Sequence, residues 1–259
     1  MPVDVPQGHR GGIYIGVPMG LRTGLRGDQV QQALMPFIGP LMGQMYPVGL
    51  SFYMDFRLNQ DRAGTREQMV IDALDAGFEW IFWVDDDVII PRNACLRLFQ
   101  RQADIIGGLI TTKSRPPQPL IYRRKHDGPI TDWQVGDVVP CEGMGWGCTL
   151  IKMEVFRRLE RPWFAEERKM LETAGEAWTY QTTEDLPLMY RAVDAGFEKV
   201  YVDTSVNCRH MDWNTGRMFG WDTEHNAPYA QLKGERELFC TAEQQLKLQE
   251  ARDSQGVKE

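Results

Sequence analysis

A chain of 259 residues, 42% hydrophobic and 25% charged, is long enough for one large α/β domain and too evenly balanced for a disordered or fibrous protein. Its formal net charge of −7 argues against nucleic acid or anionic lipid as a partner of the whole surface. Cys95, Cys141, Cys148, Cys208 and Cys240 are odd in number and form no CxxC pair, which argues against a disulfide framework or structural zinc and suits a reducing cytoplasm.

The start, MPVDVPQGHRGG, lacks a charged segment followed by an apolar one, and no stretch approaches the roughly 18 apolar residues of a membrane span. The expectation is a cytoplasmic protein of a bacterium or phage-infected cell, with no integral membrane segment. Ile13–Val17 reads as a buried strand ended by Pro18-Met19-Gly20, with a loop of glycines and arginines after it. Asp28 opens a helix towards Met45 that Pro36 and Gly39-Pro40 are placed to kink or split, and Val48–Phe56 forms a second strand. Thr65 and Gln68 have capping-box spacing, and Met69, Val70 and Leu74 then recur at helical intervals until Gly77.

Trp80–Val84 is an apolar run too short for a helix and rich in aromatic and β-branched residues, so it reads as a buried central strand. Asn93 caps a short helix to about Gln102, and Asp104–Leu109 is another buried strand. This alternation of strand and helix predicts a largely parallel sheet. Residues 111–136, rich in Pro and Arg, mark a transition between two halves, and Arg123-Arg124-Lys125 reads as a solvated loop. Strands around a Gly-rich turn fill 137–151, and a helix spans Lys152–Leu159. The polar stretch from Phe164 to Gln181 reads as a mobile loop. A helix from Glu184 tolerates Pro187 in its first turn and stops at Gly196, a strand covers Lys199–Val202, and a charged helix begins near Thr241.

Asp85, Asp86 and Asp87 follow the central strand directly. Crowded carboxylates raise one another's pKa unless a cation compensates, and oxygen ligands suit magnesium or manganese shared with substrate phosphates. An acidic turn or a helix cap is the plainer alternative. The carboxyl ends of strands are where open α/β sheets bind ligands, which favours the metal.

The segment FEWIFWVDDDVIIP resembles the strand and DxD motif of GT-A glycosyltransferases, in particular the family-2-like enzymes of bacteria and their phages. The resemblance runs from about Gly12 to Trp213 with its motifs in order. It implies a mixed, mostly parallel central sheet flanked by helices, in which a nucleotide-binding half abuts an acceptor half. Residues 1–225 would form one domain, with about 12–110 holding nucleotide sugar and metal and about 111–225 the acceptor, and 226–259 would be a partly helical extension. The implied partners are a UDP- or GDP-sugar donor, Mn2+ or Mg2+, and an acceptor that could be a glycan, a glycolipid, a protein or a modified nucleic-acid base.

Under this resemblance Asp87 ligates the metal, Asp85 belongs to the same metal site, near the ribose or a metal-bound water, and Pro18 and Asp86 border the nucleotide sugar. Arg66 resembles the Arg of an "aRN" element reaching the nucleotide, although Glu67 replaces the usual Asn; a surface helix residue is the alternative. The turn EGMGWGC, with Gly145 and Trp146, resembles the floor beneath the transferred sugar; Trp146 either stacks on a sugar face or packs in the core. Trp163-Phe164 matches an aromatic element that follows. TTEDLPLMYRAVDAGF resembles the "ED" motif, which makes Asp185 the general base of an inverting enzyme and Glu184 an orienting group, against plain helix capping. His210, in Cys208-Arg209-His210, resembles the histidine completing the metal site, against a structural role. Two alternatives compete with this function. A sugar-phosphate nucleotidyltransferase should carry a compact phosphate loop that IYIGVPMGLRTGLRG does not match, and a non-catalytic nucleotide- or carbohydrate-binding domain would have no need of both acidic motifs.

Overall fold

The computed structural model describes residues 11–20, 36–59, 61–123, 128–164, 168–173, 176–181 and 185–240. In chain order, β1 (Ile13–Gly20), a helix α1 whose described part is 36–42, β2 (Phe52–Asn59), α2 (Arg62–Asp75) and β3 (Trp80–Val84) build the first units. Then come β4 (Val88–Ile89), α3 (Ala94–Gln100), β5 (Ile105–Leu109), β6 (Ile121–Tyr122), β7 (Val138–Pro140), β8 (Gly143–Met144) and β9 (Cys148–Lys152). The remainder is α4 (Met153–Arg158), β10 (Arg168–Thr173), β11 (Glu176–Gln181), α5 (Asp185–Asp194), β12 (Val200–Asn207), β13 (Arg209–Asp212), β14 (Arg217–Asp222), β15 (Ala227–Leu232) and β16 (Glu235–Leu238).

Seven strands form the central sheet in the order β2-β1-β3-β9-β5-β12-β7. β1 pairs in parallel with β2 and β3, and β12 with β5, while β9 runs against both β3 and β5 and β7 against β12. Five strands therefore share one direction, the mixed and mostly parallel sheet that was expected. Along β3 the period of two divides the core. Ile81 and Trp83 join one cluster with Met69, Met153 and Leu188 from α2, α4 and α5. Trp80, Phe82 and Val84 join another with Phe37 and Leu98 from α1 and α3. A strand buried on both faces must be apolar at every position, which explains the unbroken run WIFWV.

Several elements differ from expectation. The described helix 36–42 runs through Gly39 and Pro40 without a break. Strand β2 starts at Phe52, and Val48 is fully exposed. Helix α2 begins a turn earlier than the capping-box pattern implies. Its N-cap is Asp61, whose carbonyl accepts the Thr65 N–H at 3.0 Å, so Thr65 lies inside the first turn. Gly77, at φ +80, ends it in the left-handed conformation that glycine adopts without strain. The stretch read as a mobile loop forms the antiparallel pair β10–β11, in keeping with the β-propensity of Trp178-Thr179-Tyr180.

A second sheet, β16-β15-β14-β13-β4, carries the chain beyond β12. The boundary drawn at 225 falls in the β14–β15 hairpin, so residues 227–238 are strands of this sheet. The helix expected from Thr241, and the Asp28 start of the first helix, lie outside the described residues. No helix among the described residues is long and apolar enough to cross a membrane.

Candidate active site

The three aspartates turn in three directions. Asp85 begins a tight turn, its N–H donating to the Gly147 carbonyl at 3.2 Å and its carbonyl accepting from Val88 at 3.0 Å. Its carboxylate accepts a 2.6 Å hydrogen bond from Arg66 Nη2. Arg66 is only 2% exposed, which excludes the surface-helix alternative. Its guanidinium lies 4.8 Å from the Trp83 ring centroid and 5.7 Å from that of Trp146, within cation–π range of both. The side chain reaches the acidic turn through the core.

Asp86 is buried and accepts the Gly20 N–H at 3.0 Å, tying the carboxyl end of β1 to the turn after β3. Pro18 is buried within β1, which continues to Gly20.

Asp87 faces the second sheet. Lys113 Nζ donates to its Oδ2 at 2.6 Å, and His210 Nε2 stands 3.5 Å from its Oδ1. Burial pushes the Asp87 carboxyl up, but hydrogen bonding and charge from His210, with the Lys113 ammonium, outweigh it and hold the group well below the usual carboxylate range. His210 arrives through pairing: β13 runs antiparallel to β4 with His210 opposite Val88, and the Met211 N–H donates to the Asp87 carbonyl at 2.8 Å. His210 Nδ1 lies 2.7 Å from the Thr111 carbonyl. A carbonyl only accepts, so Nδ1 carries a proton and the tautomer is fixed. Nε2 then meets the carboxylate either as the second N–H of an imidazolium or as a lone pair sharing a cation with it.

A divalent cation suits this donor set. A histidine whose far nitrogen donates to a backbone carbonyl is oriented as metal-ligating imidazoles are, and the carboxylate beside it is ionised. Among the described residues no three or more His, Cys, Asp or Glu side chains converge on one point, so Asp85 does not join Asp87 and His210. Two protein ligands match an ion held largely by substrate phosphates and water. Lys113 and Thr111 were missed in the sequence. The signal was there, because both lie within a few residues of the carboxyl end of β5, the rule that located the aspartates.

The Gly-rich turn packs tightly against its surroundings. A Cβ on Gly147 would meet Val88 Cγ2 at 2.5 Å, and Gly145 donates its N–H to the Leu120 carbonyl at 3.2 Å. Trp146 is only 1% exposed, stacked at 22° on Trp83 with Phe164 edge-on to it, so in this structure its faces are taken by the core rather than offered to a sugar. Glu67 fastens the chain before β10, accepting from Arg161 Nε at 2.8 Å and from the Trp163 N–H at 2.9 Å. Asp185 is the first residue of α5 and accepts the Leu186 N–H at 3.0 Å. That helix packs on β8, where a Cβ on Gly143 would meet Leu186 Cδ2 at 2.9 Å. Glu184 lies outside the described residues.

The sequence matches no protein-family model and no curated protein. Among solved structures, A197 from STIV aligns with a TM-score of 0.52 at 17% identity, covering 89% of this chain and 95% of that chain. S. aureus TarS 1–349 in complex with UDP-GlcNAc gives a TM-score of 0.41 at 11% identity, covering 74% of this chain and 55% of that chain. The likeness to A197 is one of fold over nearly the whole of both chains. With its mostly parallel seven-stranded sheet and flanking helices, the chain has a mixed α/β fold of the GT-A type.

Proposed function

We propose that this chain is a divalent-cation-dependent glycosyltransferase that moves a sugar from a UDP- or GDP-sugar to an acceptor hydroxyl with inversion. The observation that carries this reading is the meeting of ionised Asp87 with the oriented His210 imidazole at the carboxyl ends of the sheet. The sequence resemblance and the fold support it. Residues 12–110 supply most of the donor half, and Thr111, Lys113 and His210 complete it from downstream.

Asp87 and His210 would hold Mn2+ or Mg2+, and a bound ion would supply neutralisation of the charge on the departing diphosphate. The chain's own groups bind and orient. Lys113 adds positive charge beside Asp87, and Arg66 holds Asp85 ready for a ribose hydroxyl or an ion-bound water. Asp185, at the N-terminus of α5, takes the proton from the acceptor hydroxyl as the nucleophile attacks the anomeric carbon. Glu184 orients donor or acceptor.

Asp87→Ala or His210→Ala should abolish the manganese-dependent part of UDP or GDP binding, read by calorimetry. Asp185→Asn should leave that binding intact and cut turnover by orders of magnitude. Nucleotide binding by Asp87→Ala that responds to manganese as in wild type would remove the basis of the proposal. Pyrophosphate made from a nucleoside triphosphate and a sugar phosphate would replace it with nucleotidyl transfer.

A further inference from the structure

We infer that a cationic cleft on the second sheet, on the same face as His210, binds the phosphate of a small phosphorylated polyol or sugar through Arg217 and Lys233. Its role as an acceptor subsite rests on the transferase reading above.

Cross-strand partners share a face of a sheet, and so do residues two apart. His210 is paired with Phe219, Phe219 with Ala230, and Ala230 with Glu237. Arg217 and Glu235 lie two residues from Phe219 and Glu237, on that same face. A cleft of about 380 Å³ opens there, lined by these residues with Arg115, Lys233 and Arg236. Arg217 stands opposite Asp212, two residues beyond His210, which puts its backbone about 8 Å from that of His210 by sheet spacing. Arg115 follows by two residues the Lys113 whose ammonium is bonded to Asp87. The cleft therefore adjoins the proposed metal ligands, on the side leading to β15 and β16 and away from Arg66 and Asp85.

The charges point to the ligand. Three cations, Arg115, Arg217 and Lys233, and two carboxylates, Glu235 and Glu237, line this face of a chain whose net charge is −7, while Arg236 borders the cleft with its guanidinium turned to Asp222 on the other face. One of these cations is already engaged, Arg115 with Glu237. Among the described residues Arg217 and Lys233 meet no carboxylate within ion-pair distance. Lys233 sits in the turn of the β15–β16 hairpin at φ +52, followed by Gly234 at φ +87, so the backbone fixes where its side chain departs. A guanidinium fork and an ammonium suit a phosphate, and Glu235 and Glu237 can accept hydroxyl hydrogens of a polyol. Those same carboxylates, in so small a cleft, oppose a duplex, which needs an extended positive track.

The test titrates glycerol 3-phosphate, with glycerol as the neutral control, into wild-type protein, Lys233→Gln, and the pair Arg217→Gln with Lys233→Gln, without nucleotide. The expected result is measurable binding of glycerol 3-phosphate and none of glycerol, weakened in Lys233→Gln and by at least about tenfold in the double variant, with Arg217→Lys retaining part of it. Lys233 is exposed in a turn, so its substitution leaves the fold intact and keeps the test meaningful. Equal binding by wild type and variants, no binding by wild type, or tighter binding of a short DNA duplex at the same residues overturns the assignment. Wild-type titrations with UDP and GDP plus manganese separate the two readings. Phosphate binding without nucleotide binding keeps the cleft and sinks the transferase, whereas nucleotide binding without phosphate binding does the reverse.

Discussion

Arg66 gives the sharpest physical prediction, because its side chain joins the core to the acidic turn. Replacing it with alanine removes a 2.6 Å charge-assisted bond to Asp85 and two aromatic contacts, at 4.8 and 5.7 Å. A hydrogen bond to a charged group contributes about 1.5–3 kcal/mol, at its lower end here because the Asp85 side chain is 30% exposed. Each cation–π contact adds about 1 kcal/mol. Arg66→Ala should therefore cost about 4 kcal/mol and lower the melting temperature by roughly 10 °C. Arg66→Lys should lose about half of that, since an ammonium cannot reproduce the planar stack. Urea unfolding of Arg66→Ala, Asp85→Asn and the double variant would apportion the energy. The double variant should be less destabilised than the sum of the singles by about 1.5 kcal/mol, because removing Asp85 leaves no orphaned charge. Additivity within about 0.3 kcal/mol, or a cost for Arg66→Ala below about 0.5 kcal/mol, would refute the coupling.

Trp146→Ala should cost about 3–5 kcal/mol in the same unfolding experiment, since the ring is enclosed by Trp83, Phe164 and Arg66. Unchanged stability with only a raised acceptor KM would show that the ring serves substrate instead. Burial pushes the Asp222 carboxyl up, but hydrogen bonds from the His225 N–H and imidazole and from Arg236 outweigh it and lower its pKa. Its contribution is present above the unfolded carboxylate value of about 3.9 and is lost as pH falls through the lower folded value. Asp222→Asn should be less stable than wild type by about 2 kcal/mol at pH 7. The stability gap should begin to narrow as pH falls below about 4 and close at lower pH, and a gap that widens there would contradict the assignment.

The acidic cluster and the central strand were legible because both are local. Five apolar residues in a row can be buried on both faces only as a short central strand, and three consecutive aspartates cannot extend it without charged or hydrogen-bonding partners, so WIFWVDDD marks a strand and its end together. Gly77 and Gly196 likewise punctuate helices through backbone preference alone. Boundaries were less legible where two local signals compete. Thr65 looks like a cap, yet Asp61 supplies another capping residue one turn earlier, and the helix extends to it.

What the sequence by itself determined is therefore the inventory: a mixed α/β chain, acid at the end of its central strand, and a histidine downstream. Which groups meet was decided by tertiary pairing. Asp85 turned to a buried arginine, Asp87 to Lys113 and His210, and Trp146 to the core. Those partners are separated by 19 residues for Arg66 and Asp85 and by 26 for Lys113 and Asp87. No periodicity spans such gaps; only the register of β4 against β13 and the burial of α2 against the sheet set the distances at which charge acts.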